Sequence, residues 1–394
     1  MIRSIVLYTE EIDDLELAAE ELFAQAAEFE FEENSVAIMF MDLDTEYPEL
    51  YELLHEKWDI PIVAATTVGI LTAREGYCRS GISLMLMTAS DCGFTVGMTH
   101  DLSVDNYPQV IRETYEALEK ETGGEEVKLV LTLGAKPTEM AGDDIISVLD
   151  DMGKRVKVFG ALASDMFSFT DFRVAFNDRV EWHAQIFILI TGNVEPKFLK
   201  VQSLSGKANF CYEVTRSDRN LVYRLGNGTF LEALNKSGLG SDKVIVAGEY
   251  IQTPFVTVLE KPGGVRVEAL RNLTRLDHET GSGLFLGGIP EGSSLELGLL
   301  NKEDVKTSVS EAFDEILEWL KNDGKNCSTI LCCSCTARFL AIGNDGTLEA
   351  ESYQGRLPEG VSLMGMYSYG EYCPFEEEEW YNVFHNSTFT ILCL

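Results

Sequence analysis

The chain has 394 residues, 45% of them apolar, and a formal net charge of −34 from 65 acidic and 31 basic side chains. That length exceeds the size at which one hydrophobic core usually stops growing, so two domains are expected, and the apolar share excludes a disordered chain. So acidic a surface repels phosphate backbones and anionic headgroups, which argues against nucleic acid or a membrane surface as partner.

Val6 and Leu7 mark a short strand, and Leu15, Ala18, Ala19, Leu22, Phe23 and Ala26 recur at helical spacing within Ile12 to Phe29. A strand over Ser35 to Met41, a helix over Pro48 to Trp58 and a strand over Pro61 to Thr67 follow, then strands over Gly81 to Thr88 and Gly93 to Thr99. Pro108 to Glu121 reads as a helix stopped by Gly123-Gly124. The order then recurs: strand Val127 to Leu133, helix Glu139 to Met152, strand Val156 to Leu162, and strands Arg173 to Phe176, Gln185 to Thr191 and Phe198 to Ser203. Leu221 to Thr229 reads as strand and turn, Phe230 to Lys236 as a short helix, and Phe255 to Glu260 with Val265 to Leu270 as a hairpin. An amphipathic helix over Ser308 to Lys321 precedes strands over Thr329 to Cys335, Ser362 to Tyr367 and Thr388 to Leu394. Helices alternate with the first strands of each repeat and are absent between the later ones. The expected fold is α/β with mixed, α+β-like sheets: repeated β-α-β-α-β-β-β units forming two domains, residues 1–200 and 201–394, with helices covering the sheets.

Three times an apolar strand breaks into small and hydroxylic residues: at Pro61-Ile-Val-Ala-Ala-Thr-Thr-Val-Gly69, at Val158-Phe-Gly-Ala-Leu-Ala-Ser-Asp165 and at Gly365-Met-Tyr-Ser-Tyr-Gly-Glu-Tyr-Cys-Pro374. Such strand ends bring backbone amides and a few polar groups up to a small ligand, and three of them suggest repeated architecture. No apolar stretch approaches the ~18 residues of a membrane span, and the N-terminus lacks the apolar region and cleavage site of a signal peptide, so a cytoplasmic location is expected. Nine cysteines, an odd number scattered through apolar segments, fit reduced thiols. The acidic run Glu376 to Glu379 reads as solvated surface.

From about Ser35 to Leu394 the chain resembles the FIST family of bacterial and archaeal intracellular sensors, built from FIST N-terminal and C-terminal domains. Ser334-Cys-Thr-Ala-Arg338, the Tyr369-Gly370-Glu371 core and His385-Asn-Ser-Thr388 are similar, in order, to the family's Ser-Cys-Asn-Gly-Arg, Tyr-x-Tyr-Gly-Glu and His-Asn-x-Thr patterns. Ala65 to Ile70 and Phe159 to Asp165 resemble two N-terminal turns, with Ile70 where a Glu is usual and Ala161 where a second Gly is usual. The resemblance implies a cytoplasmic sensory module for a small polar ligand such as an amino acid, acting on a signalling partner and not an enzyme. In the second domain Arg338, Tyr369, Gly370, Glu371, His385 and Asn386 are its candidate ligand residues, Arg338 for a carboxylate and Glu371 for an ammonium. In the first domain Thr66, Thr67, Gly69, Gly160, Ser164 and Asp165 are the candidates, on turns that can share one cleft near a pseudo-symmetry axis.

Each reading has a plainer competitor. Arg338 can pair with Glu371 as structure, His385 opening a strand can be a satisfied core histidine, and the turn hydroxyls and Asp165 can serve turn amides alone. Cys335 with His385 and Glu371 also offers the nucleophile, base and orienting acid of a thiol hydrolase or transferase, though no such signature surrounds Cys335. Cys332, Cys333, Cys335 and Cys373 are poorly placed for metal, because a strand sends Cys332 to the face opposite Cys333 and Cys335. Gly281-Ser-Gly283 and Gly287-Gly288 lack nucleotide-loop spacing, and no cofactor or metal is expected.

Overall fold

The strand Asn34–Met41 sets the pattern for the molecule. Val36, Ile38 and Phe40 enter one apolar core and Ala37, Met39 and Met41 another, so the strand is buried on both faces, as its nearly continuous apolar run requires. The computed structural model describes residues 2–238, 253–324, 327–376 and 380–394. Beyond Glu376, the acidic run Glu376 to Glu379 lies outside them.

Three six-stranded sheets share one strand plan. In the first, Arg3–Thr9, Ile82–Ala89, Asn34–Met41 and Ile62–Thr66 lie side by side, the last two parallel. In the second, Cys92–Met98, Ala184–Gly192, Val127–Ala135 and Lys157–Leu162 repeat that order, the last two again parallel. In the third, Lys197–Gln202, Thr388–Cys393, Thr329–Cys335 and Ser362–Ser368 repeat it once more. Each sheet is then completed by a hairpin from another unit. Val174–Phe176 and Arg179–Glu181 join the first sheet, Glu371–Glu376 and Trp380–His385 the second, and Ile70–Thr72 and Gly76–Cys78 the third. The exchange is cyclic. Each unit gives one hairpin and receives one, so the three units close into a pseudo-threefold ring.

A fourth sheet, of eight strands among the described residues of 204–300, is inserted into the third unit, with the strand Leu204–Asp218 central to it. Its core, around Phe210, Phe230, Phe255 and Phe285, is separate from the others. Helices Leu15–Gln25 and Tyr47–His55 cover the outer face of the first sheet through Leu22 and Leu50. Tyr107–Glu121 and Asp143–Asp151 pack on the second unit, and Lys302–Asn322 covers the third sheet through Phe313 and Ile316. Inner faces of all three sheets share the largest core. The fold class is therefore mixed α/β in several mixed sheets with helices over them, as the repeated pattern predicts. Strand pairing runs across residue 200 in both directions, since the hairpin Ile70–Cys78 sits beside Ser362–Ser368 and the hairpin Glu371–His385 beside Lys157–Leu162.

Several boundaries differ from expectation for local reasons. The helix predicted from Ser308 begins at Lys302, where the Asn301 side chain accepts from Asp304 N as an N-cap. The helix predicted from Glu139 begins at Asp143, because Lys136 to Gly142 form a loop closed by Lys136 Nζ on Met140 O at 2.5 Å. His385 ends its strand rather than opening one, and Ser387, at φ 53°, turns the chain into the next.

Candidate functional site

The three strand-end turns meet at the centre of the ring. Thr67 Oγ1 lies 2.8 Å from both Gly69 O and Tyr367 O, donating its one proton to either, and accepts from Gly69 N at 3.2 Å and Tyr367 N at 3.1 Å. Ser164 Oγ donates to Tyr367 O at 2.7 Å and accepts from Val68 N at 3.3 Å, while Ser164 N donates to Thr66 O at 3.0 Å. Thr66 Oγ1 accepts from Arg173 N at 3.0 Å. Leu162 N donates to Gly370 O at 2.9 Å, and Tyr369 N returns to Leu162 O at 3.2 Å. One turn from each unit is thus bonded to the other two.

Close approach dictates two glycines here. Gly160 has φ +149°, and a Cβ on it would stand 1.8 Å from Thr132 O. Gly370, at φ +156°, leaves no room beside the Phe384 ring, which a Cβ would meet at 2.2 Å. Asp165 gathers the segment that follows it: Oδ1 accepts from Ser168 N, Phe169 N and the Tyr369 hydroxyl, and Oδ2 from Ser168 Oγ, Thr170 N and Asp171 N. Burial pushes its pKa up, but the bonds from Ser168, Tyr369, Asp171 and Thr170 prevail and hold it below the usual carboxylate range. Tyr369 stacks on Phe169 with ring centroids 4.3 Å apart.

The second-domain residues are equally engaged. Arg338 does not pair with Glu371; its Nε donates to Glu349 Oε1 at 2.9 Å and its Nη1 to Ser203 Oγ at 2.5 Å. Glu349 Oε2 accepts from Ser334 Oγ at 2.8 Å and the Tyr367 hydroxyl at 2.7 Å, and both members of the ion pair are fully buried. Glu371 accepts from Ser368 Oγ and Thr388 Oγ1, both at 2.7 Å. Burial pushes its pKa up to about 8, against bonds from Thr388, Ser368 and Cys335 and the charge of Arg338. It is largely protonated near neutral pH. Asn386 Nδ2 donates to Tyr369 O at 3.2 Å. His385 Nε2 bonds Cys373 O at 3.0 Å, and burial holds the ring neutral by driving its pKa well below the ordinary value.

The thiol chemistry fares poorly. Cys335 is 1% exposed, and burial, then the Glu371 charge, pushes its pKa well above the ordinary thiol value, which is the reverse of nucleophile activation. Cys332 faces the helix-covered core while Cys333 and Cys335 face the central one, as strand alternation predicts.

A cleft of about 490 Å³ opens beside this junction, with Thr67 on its wall. It lies where the parallel strands Asn34–Met41 and Ile62–Thr66 end, the position where open α/β sheets place their ligands. All three units contribute: Asp42, Asp44, Tyr77 and Arg79 from the first, Met166 and Phe167 from the second, Phe339 and Asn344 from the third. Asp44, Arg79 and Asn344 are exposed, and Met166 is 60% exposed. Among the described residues the buried Tyr77 hydroxyl has no hydrogen-bond partner, nor has the buried Nε of Arg173, whose Nη2 bonds Leu43 O at the cleft. Phe167 and Asn344 hold φ of 65° and 61°, a backbone region that side chains other than glycine seldom occupy.

The other two units differ at the matching strand ends. In the second, Lys136 and its loop close over the strand end, with Lys136 only 2% exposed. In the third, the helix Thr336–Ala341 begins directly after the strand Thr329–Cys335.

Of the residues expected in a site, Thr67 lines this cleft. Thr66, Gly69, Gly160, Ser164, Asp165, Arg338, Tyr369, Gly370, Glu371, His385 and Asn386 are buried in the scaffold. Ile70, in place of the usual Glu, is 1% exposed in the central core. Asp42, Asp44 and Arg79 were not expected, since they stand in polar stretches without motif character. Among the described residues no helix is long and apolar enough to cross a membrane. No curated protein matches the chain in sequence. The FIST N domain matches residues 35–227 and the FIST C domain residues 242–374, spans that include the motifs at Ala65, Phe159, Ser334 and Tyr369. The chain belongs to the FIST family, whose domains are generally sensory and signal-transduction domains.

Proposed function

We propose that this protein is a cytoplasmic sensor whose ligand, an amino acid or a similar small polar metabolite, occupies the cleft between the three units. The observation that carries this reading is the composition of the cleft: Asp42 and Asp44 offer counter-charge for an ammonium and Arg79 a fork for a carboxylate, beside apolar Met166, Phe167 and Phe339. Thr67 joins the cleft wall to the central junction through Tyr367. A ligand bridging the walls favours one arrangement of the units over another, and that preference is what a signalling partner reads. The positive φ of Phe167 and Asn344 supports the same reading, because backbone held in sparse conformations clusters where ligands bind.

Thermal-shift screening of the full chain against amino acids and related metabolites tests the proposal. Ligand at roughly a hundred times its dissociation constant adds about 2.7 kcal/mol of stability. Arg79→Gln and Asp44→Asn then weaken binding roughly tenfold or more, about 1.4 kcal/mol, with unliganded melting unchanged. Silence across a broad library, or binding indifferent to both substitutions, overturns it.

A further inference from the structure

Of the nine cysteines, Cys327 and Cys393 come together beside a surface cleft. Cys327 lies between the helix Lys302–Asn322 and the strand Thr329–Cys335, its N–H donating to Gly324 O at 3.0 Å. Cys393 ends the strand Thr388–Cys393, in register with Ile330 on one side and Lys197 on the other. Ser328 N donates to Leu394 O at 2.9 Å and Leu394 N to Thr329 O at 2.8 Å, so the two cysteines flank one main-chain contact and their side chains interact. Cys327 is half-buried and lines a surface cleft of about 200 Å³, with Trp319, Asp323 and Leu394 around it. Cys393 is buried behind it.

The two thiols are not equivalent. The bond from Cys393 lowers the Cys327 pKa, against burial and with main-chain support at Thr329 and Leu394; the same bond, with burial, raises that of Cys393. Only Cys327 lines the cleft and is partly exposed, so it is the sulfur that a small solute reaches first.

We infer that Cys327 and Cys393 form an oxidisable dithiol that takes a small hydroperoxide through this cleft, Cys327 as the attacking and Cys393 as the resolving sulfur. In the first step the Cys327 thiolate attacks one peroxide oxygen, the O–O bond breaks, and the departing oxygen leaves as water or an alcohol after taking a proton. Cys327 becomes a sulfenic acid. In the second, Cys393 attacks the Cys327 sulfur, the S–O bond breaks, and the hydroxyl leaves as water with the Cys393 proton. Two thiols lose two electrons in all and the peroxide gains them. The new bond ties the end of the last strand to the loop that follows the helix Lys302–Asn322.

Peptide mapping of the full-length protein after brief exposure to limiting hydrogen peroxide tests this. The expected result is a peptide linked through Cys327 and Cys393, with loss of alkylation at both, restored by dithiothreitol, while Cys332, Cys333 and Cys335 still alkylate on unfolding. Cys393→Ser leaves a sulfenic acid on Cys327 that dimedone captures, and Cys327→Ser leaves Cys393 unmodified. Because the wild-type map carries the test alone, a variant that fails to fold does not blunt it. Oxidation of exposed Cys211 with Cys327 and Cys393 intact, or of Cys327 without a link to Cys393, overturns the inference.

Discussion

Thr67 and Tyr367, 300 residues apart in the chain, are joined twice: the Thr67 hydroxyl lies 2.8 Å from Tyr367 O and 3.1 Å from Tyr367 N. That hydroxyl also serves Gly69, beside the direct bond from Tyr367 N to Gly69 O at 3.0 Å. Thr67→Val keeps the shape and removes the oxygen, leaving the buried Gly69 N–H without its acceptor, while Tyr367 N keeps Gly69 O and Tyr367 O keeps Ser164 Oγ. The expected loss is about 1–3 kcal/mol in urea unfolding. A change within experimental error would show that the contact is incidental.

Gly160→Ala should be far more damaging than most glycine substitutions. The new Cβ meets backbone oxygen, Thr132 O, which cannot rotate away, and the φ of +149° is itself unsuited to alanine. A loss of roughly 3 kcal/mol or more is expected, seen as a lower melting temperature or lost soluble yield. Gly153→Ala is the control: its Cβ meets nothing within 4 Å, leaving only the cost of its positive φ.

Glu349→Gln leaves the fully buried Arg338 guanidinium without its counter-charge. Breaking a buried pair from one side costs about 3–5 kcal/mol, measurable by chemical denaturation. Arg338→Lys should rescue little, since an ammonium cannot reach Glu349 and Ser203 in the same forked geometry. Retained stability in either variant would contradict the burial of this pair.

Glu371 predicts a pH dependence. Its folded pKa of about 8 lies above the ordinary value of 4.5, so the folded state holds a proton that the unfolded state has already released between those two values. Its contribution is complete below the lower pKa and is lost as pH rises toward the upper one. Glu371→Gln fixes the neutral form. The stability difference, variant minus wild type, should therefore grow from about pH 5 to about pH 9, and a flat difference would rule out the raised pKa.

The repeats and their glycine- and hydroxyl-bearing strand ends are legible in the sequence because such residues stand out against apolar runs. Their meeting at one centre follows from the repetition. The exchanged hairpins are not legible: Ile70–Thr72 and Gly76–Cys78 are too short to show a period, and the partner of Ile70 is Met366. Nor could charge alone select Glu349 over Glu371 for Arg338, when 65 acidic residues compete. The candidate ligand residues were found by motif; of them Thr67 lines the cleft and the others are buried around the junction. Asp42, Asp44 and Arg79 become a group only when Met41 pairs with Ile82 and Asp42 N bonds Gly81 O at 3.0 Å.

The reciprocal hairpins also set a timetable during synthesis. Leu71 pairs with Gly365, so the first hairpin leaves the ribosome long before its acceptor strand exists. At about 5–20 residues per second the wait is on the order of a quarter of a minute to a minute. Through that interval the nascent chain carries an unpaired apolar edge, so a helper that shields such edges until the last strands emerge should raise the yield of native protein.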